Sequence, residues 1–207
     1  MLRPVFIDLQ GGFAYCRYMF EDLCSRKIVG YEVHDAECGQ HAADLLQRCK
    51  LREQCLHQPL ILHSDNGAPM KAYTMKAKFE ELGVLPSYSR PRVSNDNAFI
   101  ESLFRVLKYR PQWPSSGFAP LDEARAWVDH FVRWYNTEHR HSKINFVTPA
   151  QRHQGKDKTL LAQRKTVLEQ AKQANPARWG SRPTRNCQPV GPVTLNPEKE
   201  VEMKQAA

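Results

Sequence analysis

Apolar positions change their period several times along this chain. Residues 13–19 are rich in aromatics, and Lys27-Ile28-Val29-Gly30-Tyr31-Glu32-Val33 is rich in β-branched residues. That pattern predicts two strands joined by the polar turn Asp22-Leu23-Cys24-Ser25-Arg26. Between residues 38 and 55 the period lengthens, because Ala42, Leu45, Leu46 and Cys49 recur at helical spacing. Pro59-Leu60-Ile61-Leu62 is short and wholly apolar, as expected of a buried strand that follows a helical crossover. Residues 70–82 read as a second helix stopped by Gly83, and residues 84–88 as another short strand. Residues 89–94 form a basic loop, and a helix then starts near Asn95 and Asn97, whose side chains can cap free amides.

Residues 111–120 make a Pro/Ser/Gly linker. Residues 121–135 predict a helix with Ala124, Trp127, Val128, Phe131 and Trp134 on one face. Thr148-Pro149-Ala150 has the form of a capped helix start, and residues 156–174 read as a mostly charged helix. From Asn175 the composition turns to Pro, Arg, Asn and Gly. No internal repeat is visible. The shift sets a boundary near Gly155, giving a core over residues 1–155 and a basic tail over residues 156–207.

Composition changes this picture in one direction. Hydrophobic residues make up 41% and charged residues 25% of the 207, enough for a packed core and too apolar for wholesale disorder. The formal charge is +8 and the pI about 9.3. A basic surplus points to nucleic acid, and an anionic membrane surface would fit the charge alone. No apolar run approaches the ~18–20 residues of a spanning helix, and an acid interrupts the short apolar run at the N-terminus, unlike a secretory signal. The cysteines are Cys16, Cys24, Cys38, Cys49, Cys55 and Cys187, without a Cys-x-x-Cys pair or zinc-site spacing. Cys16, Cys38 and Cys49 sit among apolar or small residues and read as core positions. A reduced, cytoplasmic protein is the simplest expectation.

Two carboxylates carry the candidate chemistry. Asp65 ends the apolar strand and is followed at once by Asn66-Gly67, while Glu101 lies in the amphipathic stretch Ile100-Glu101-Ser102-Leu103-Phe104-Arg105-Val106-Leu107-Lys108, with 35 residues between the two acids. An isolated Asp-Asn-Gly is ordinarily a turn, and an isolated glutamate on an amphipathic helix is ordinarily solvated. Together, in a basic chain, they suit phosphodiester chemistry, which needs an activated attacking oxygen and a neutralised leaving oxygen. Two divalent ions held about 3.5–4 Å apart can supply both, and hard ions of this kind prefer carboxylate oxygens. Arg105 and Lys108, four and seven residues after Glu101, share its helix side and could reach phosphates. Arg90 and Arg92 offer the same from the loop.

These residues resemble a known family. Ser25-Arg26-Lys27-Ile28-Val29-Gly30, His63-Ser64-Asp65-Asn66-Gly67, Ser89-Arg90-Pro91 and Ser94-Asn95-Asp96-Asn97 leading to Glu101 are similar to the integrase-type catalytic core of DDE insertion-sequence transposases, in particular the second-frame protein of two-frame bacterial elements. Trp134-Tyr135-Asn136-Thr137-Glu138-His139-Arg140-His141-Ser142, ending at Thr148-Pro149-Ala150, resembles the region that closes that core. The tail from Arg178-Trp179 to Leu195-Asn196-Pro197-Glu198 is similar to tails in that group. The resemblance implies an α/β ribonuclease H-like fold, a mixed five-stranded sheet flanked by helices. It implies Mg2+- or Mn2+-dependent cleavage at element ends, strand transfer into target DNA, a homo-oligomer on DNA, and a separate or fused helix-turn-helix region. Asp65 would be the second aspartate and Glu101 the glutamate, with both holding metal, and Lys108 would contact the element end.

The departure from the family pattern is at the N-terminus. The motif puts its first aspartate near Leu2, where no acid stands; Asp8 is the one acid upstream of the second strand, close to Gly12. The chain therefore reads as an N-terminally truncated family member with an incomplete first strand. Three readings follow: an active catalytic subunit completed by Asp8; an inactive remnant that still binds DNA through Arg90, Arg92, Arg105, Lys108 and the tail; or an interaction protein that pairs through residues 127–134.

Overall fold

The computed structural model describes residues 2–7, 16–90, 98–110, 113–114, 117–118 and 120–193, with side chains from Tyr18 onward. The elements run β1 (Leu2–Ile7), β2 (Cys16–Asp22), β3 (Ile28–His34), α1 (Gly39–Arg52), β4 (Leu60–Ser64), α2 (Ala68–Lys71), α3 (Tyr73–Glu81), β5 (Val84–Tyr88), α4 (Ala98–Lys108), α5 (Leu121–Thr137), α6 (Pro149–His153), α7 (Asp157–Ala174) and α8 (Pro176–Trp179). The strands join in the order β3-β2-β1-β4-β5. The first three form an antiparallel meander, and β4 runs parallel to both β1 and β5. The architecture is mixed α/β.

Parallel strands need both faces covered, because their crossovers lay helices over the sheet. One face carries Tyr18, Phe20, Val29, Leu62 and Val84 against Ala42, Leu46 and Cys49 of α1 and Met75 and Phe79 of α3. The other carries Met19, Ile28 and Val33 against Ile100, Leu103 and Leu107 of α4 and Val128, Phe131 and Tyr135 of α5. Contact on the first face is tight at Gly30, where an added Cβ would stand 2.1 Å from the Cys49 sulfur. Burial pushes the Cys49 thiol up to about 12, so it stays protonated and behaves as a small hydrophobe. Cys187 is also buried and Cys38 half-buried; the five cysteines with described side chains are free. Among the described residues no helix is long and apolar enough to cross a membrane.

Several elements differ from the sequence expectation. The first strand, expected from the resemblance and as incomplete, is present as β1, although Pro4 removes a ladder donor and argues against a central position. Its pairing with β2 along all six residues holds it there. β2 runs on to Asp22, inside the expected turn, while residues 13–15 lie outside the described residues. The helix expected over residues 70–82 is two helices broken at Ala72 (φ −58°, ψ 145°). α8 is an extra short helix, started by Pro176 at its first position. At Thr148 the capping is as expected: its hydroxyl accepts from Gln151 N, and the Gln151 side chain accepts from Thr148 N. Trp127 and Trp134 lie partly buried against the α4–α5 core.

Residues on either side of 155 share a third apolar cluster, Ile144, Val147, Leu161 and Cys187. Arg152 ties the later segment down. It is buried, donates to Cys24 O at 2.7 Å and Val190 O at 2.8 Å, and lies 3.6 Å from the Asp157 carboxylate. Beside it, the β2–β3 turn is built on Asp22, which accepts from Ser25 N at 3.1 Å and Ser25 Oγ at 2.5 Å. His153 of α6 reaches the same turn, with Nδ1 3.0 Å from Ser25 Oγ and 3.4 Å from Asp22 Oδ2, and Nε2 2.8 Å from Glu53 Oε2. Burial raises the Asp22 carboxyl, but hydrogen bonds from His153 and Ser25 outweigh it and hold the group far below its ordinary value. The Asp22 hydrogen bond, against opposing burial, raises the pKa of His153, with Glu53 adding to it.

The outer edge of β3 is occupied by side chains. Asn136 of α5 accepts from Ile28 N at 2.9 Å and donates to Ile28 O at 3.0 Å, as a neighbouring strand would. Arg125 donates to Val33 O at 3.1 Å, and Arg52 bonds to Val29 O. A covered edge cannot template pairing with another chain.

Asn136→Ala should cost about 1–3 kcal/mol by leaving both Ile28 groups without their partner, read as a lower midpoint of denaturant unfolding. The His153 joint should give a pH signature. A raised imidazole contributes fully below its ordinary value of 6.5 and loses that contribution as pH rises through its folded value. A depressed Asp22 contributes above its ordinary 3.8 and loses that only in strong acid. Thermal unfolding followed from about pH 5 to about pH 9 should show a decline on the alkaline side that His153→Gln removes.

Candidate functional site

Asp65 follows the last residue of β4, where the ends of β4 and β5 are held together by polar groups. His63 is 4% exposed, with Nδ1 2.9 Å from Ser87 Oγ and Nε2 3.2 Å from Ser89 Oγ. Ser89 N donates to Ser64 O at 2.9 Å, and Asn66 Nδ2 donates to Ser89 O at 2.8 Å. The Asp65 carboxylate turns the chain by accepting from Gly67 N at 3.0 Å through Oδ1, the Asx-turn that Asp-x-Gly favours. Asp65 is half-buried among these polar contacts, and the turn engages only its Oδ1.

Glu101 sits in the first turn of α4. Ile100, Leu103 and Leu107 are buried, which fixes the rotation of the helix and turns Glu101, Arg105 and Lys108 outward together. All three are exposed, as the seven-residue spacing predicts. Arg105 lies 6.0 Å from the Tyr109 ring.

Strand alternation relates the two acids. Leu60 and Leu62 join the α1–α3 side of the sheet, so Ile61, His63 and the position of Asp65 belong to the opposite side, where α4 packs over β1 to β3 and leaves Ile61 exposed. The fold thus delivers the strand-end acid and the helix acid to the same side of the sheet. Arg90, exposed and bonded in sequence to Ser89, stands beside the Asp65 turn. Arg92 and Asp8 lie outside the described residues.

The strand beside Asp65 is informative for what it lacks. β1 pairs with β4 in parallel, Leu2 opposite Leu62, and runs on to Ile7. From Leu2 to Ile7 the strand contains no acid. Among the described residues no group of three or more His, Cys, Asp or Glu is gathered to hold a metal ion. Two open carboxylates match a hard divalent cation in kind, but they are a smaller donor set than three.

A cavity of about 480 Å³ opens beside α4, lined by Arg26, Phe99, Ser102, Lys143, Val190 and Pro192 among others. Arg26 is buried at φ +68°, stacks 4.1 Å from the Phe99 ring centre, and keeps its Nε without a hydrogen-bond acceptor. His141, also on the wall, is pushed down to about 4 by burial first and then by Arg26, so it is neutral. Arg26 was legible only inside the motif string Ser25-Arg26-Lys27, and no spacing in the sequence marks Lys143 as its neighbour.

Two family models, each described as Integrase core domain, match residues 5–94 and 82–149. The chain is 30% identical over 131 residues to the transposase for insertion sequence element IS904 of Lactococcus lactis subsp. lactis (strain IL1403), an overlap of 62% of this chain and 50% of that protein. It is 34% identical over 146 residues to the insertion element IS600 uncharacterized 31 kDa protein of Shigella sonnei, 70% of this chain and 53% of that one. The chain therefore spans about half the length of these curated relatives. Among solved structures it resembles the HTLV-2 integrase catalytic core domain in complex with magnesium, with a TM-score of 0.51 and 14% identity over 73% of this chain and 94% of that one. At that identity the likeness concerns the fold.

His63→Ala should release the β4–β5 ends at a cost of about 1–3 kcal/mol. Amide hydrogen exchange should quicken at Ser64, Asp65, Asn66 and Ser89 and stay unchanged along α7. Equal protection in the variant would mean that the two serines do not anchor the Asp65 turn through His63.

Proposed function

We propose that this chain, which belongs to the DDE-type insertion-sequence transposases and carries their integrase-like core, is a catalytic core for metal-dependent cleavage of element ends and strand transfer into target DNA. The observation that carries this reading is the delivery of Asp65 and Glu101 to one side of the sheet, one from a polar-locked strand end and the other from a helix whose rotation the core fixes. We take the fold as ribonuclease H-like, with residues 1–155 as catalytic core and residues 156–207 as an appended basic segment.

In this reading Asp65 and Glu101 hold Mg2+ or Mn2+, with Asp8 as the candidate for a third ligand. When bound, two such ions activate the attacking oxygen and neutralise the leaving one. The chain's own residues bind and orient the DNA. Lys108 and Arg105 lie outward on the Glu101 side of α4 and offer point and forked charges to phosphates. Arg90, after β5, adds a further cation, and Arg92 is proposed as another phosphate contact. His63 keeps the Asp65 turn in position, and the Asx-turn leaves one Asp65 oxygen available. The partners are element-end and target DNA, further copies of this chain on that DNA, and a helix-turn-helix unit. The setting is the bacterial cytoplasm, at the nucleoid.

A specific observation favours a second reading, a DNA-binding remnant without catalysis: the strand flanking Asp65 carries no acid from Leu2 to Ile7. The two are separable. With Mn2+ the purified chain should nick duplexes bearing the element's ends, and Asp65→Asn or Glu101→Gln should bring nicking to background. Cleavage unchanged by Glu101→Gln would refute the site. Calorimetric Mn2+ binding lost in Asp8→Asn would make Asp8 the third ligand. Salt-sensitive DNA binding without any metal-dependent cleavage would establish the remnant.

A further inference from the structure

No residue of the 18-residue helix α7 has a role of its own in the reading above. α7 packs its Leu161 face onto Ile144, Val147 and Cys187, with Leu160 and Leu168 alongside. Arg164 on the same side donates to Asn145 O at 2.6 Å. Almost opposite, Thr159, Gln163, Thr166, Gln170 and Gln173 recur at steps of four, three, four and three residues, a single stripe at helical period. All five are exposed. None is charged, and every one can both donate and accept hydrogen bonds.

Charge surrounds this stripe. Lys158 and Lys165, seven residues apart and both exposed, run along one flank. Lys172, a further seven on, donates to Arg182 O at 3.0 Å and brings the segment bearing Arg178 and Arg182 to the far end. Residues 156–193 contain eight Lys and Arg against two acids, so they hold six of the chain's eight net positive charges. Asp157 is buried beside Arg152, and exposed Glu169 lies 3.7 Å from Lys165, a surface pair that a phosphate would have to displace.

We infer that α7 is a second DNA-docking element that reads base edges in the major groove, its lysine flank seated on the phosphates. The inference goes beyond the catalytic reading and does not depend on metal or cleavage. The groove is ~12 Å wide and takes a helix of ~10–12 Å diameter. Gln is suited to bidentate pairing with adenine, and Thr to hydrogen bonds or methyl contact. Flanking lysines position the protein without carrying sequence information. Thr159 and Gln163 border a cleft shared with Gln151, Gln154 and Lys156; a helix selected only for solubility would put its charges on this polar stripe, whereas here they lie at its side and its start. A partner helix is a poorer fit, because of the stripe only Val167, at its margin, offers a large exposed apolar side chain.

The test uses the full chain and a pool of random-sequence duplexes. Wild type should enrich a preferred duplex. Gln163→Ala/Gln170→Ala should lower its preference over a scrambled duplex by about 5-fold or more, since a bidentate base pair is worth ~1–3 kcal/mol, and should leave the salt dependence unchanged. Lys158→Gln/Lys165→Gln should weaken binding to both duplexes alike and reduce the salt slope by about two. Both double variants are on exposed positions, and circular dichroism checks that α7 stays folded. No preferred duplex, an equal loss on both duplexes in the glutamine variant, or an unchanged slope in the lysine variant would overturn the inference. Glu101→Gln is the control: it should bind the preferred duplex as wild type does, so loss of cleavage and loss of preference report separately on the two readings.

Discussion

The parallel pairing of β4 between β1 and β5 is the constraint on which the rest of the structure depends. β4 is reached by a helical crossover that lays α1 over one face, where Leu62 is buried, while Ile61 on the other face stays exposed. Its short length then brings the chain to the sheet's end at Asp65, where the backbone no longer has ladder partners. Those partners are replaced by Ser89, Asn66 and the two serine contacts of His63. The carboxylate is consequently held by a stiff frame in a place where the fold itself runs out.

On the other face, α4 is fixed by three buried aliphatic residues and α5 by a row of aromatics, Trp127, Phe131 and Tyr135, stacked along its length. This packing determines which way Glu101 points without Glu101 contributing to it. An exposed acid on a well-anchored helix, without an ion pair among the described residues, costs the fold little and leaves the group available. The same holds for Lys108 and Arg105. Stability and chemistry are thus divided between two sides of one helix.

The later part of the chain is joined to the core mainly by polar groups. Arg152 is buried among carbonyls and the Asp157 carboxylate, and His153 closes the β2–β3 turn. Buried polar groups are worth little net when satisfied and cost much when broken, so these contacts specify an arrangement more than they strengthen it. They also bring Val190 and Pro192 to the wall of the cavity beside α4. The basic segment therefore meets the core on the flank of the helix that carries Glu101.

What the sequence determined by itself was local. Helical spacing in α1, α5 and α7, the Thr148 capping box and the apolar run of β4 were legible because each depends on neighbours within a few residues. The two acids could be singled out from strand-end and helix-face context, with Arg105 and Lys108 set by their distance from Glu101. β1 was legible only through the family resemblance, because Pro4 speaks against a central strand and only pairing with β2 overrides it. The break at Ala72 was equally invisible, since residues 70–82 keep one apparent period. Tertiary structure alone decided that Asp65 and Glu101 share a side of the sheet, that β1 pairs in parallel with the strand that ends before Asp65, and that Asn136 completes the β3 edge. Those relations join residues far apart in the chain, and they follow from strand register and helix packing, which no local pattern contains.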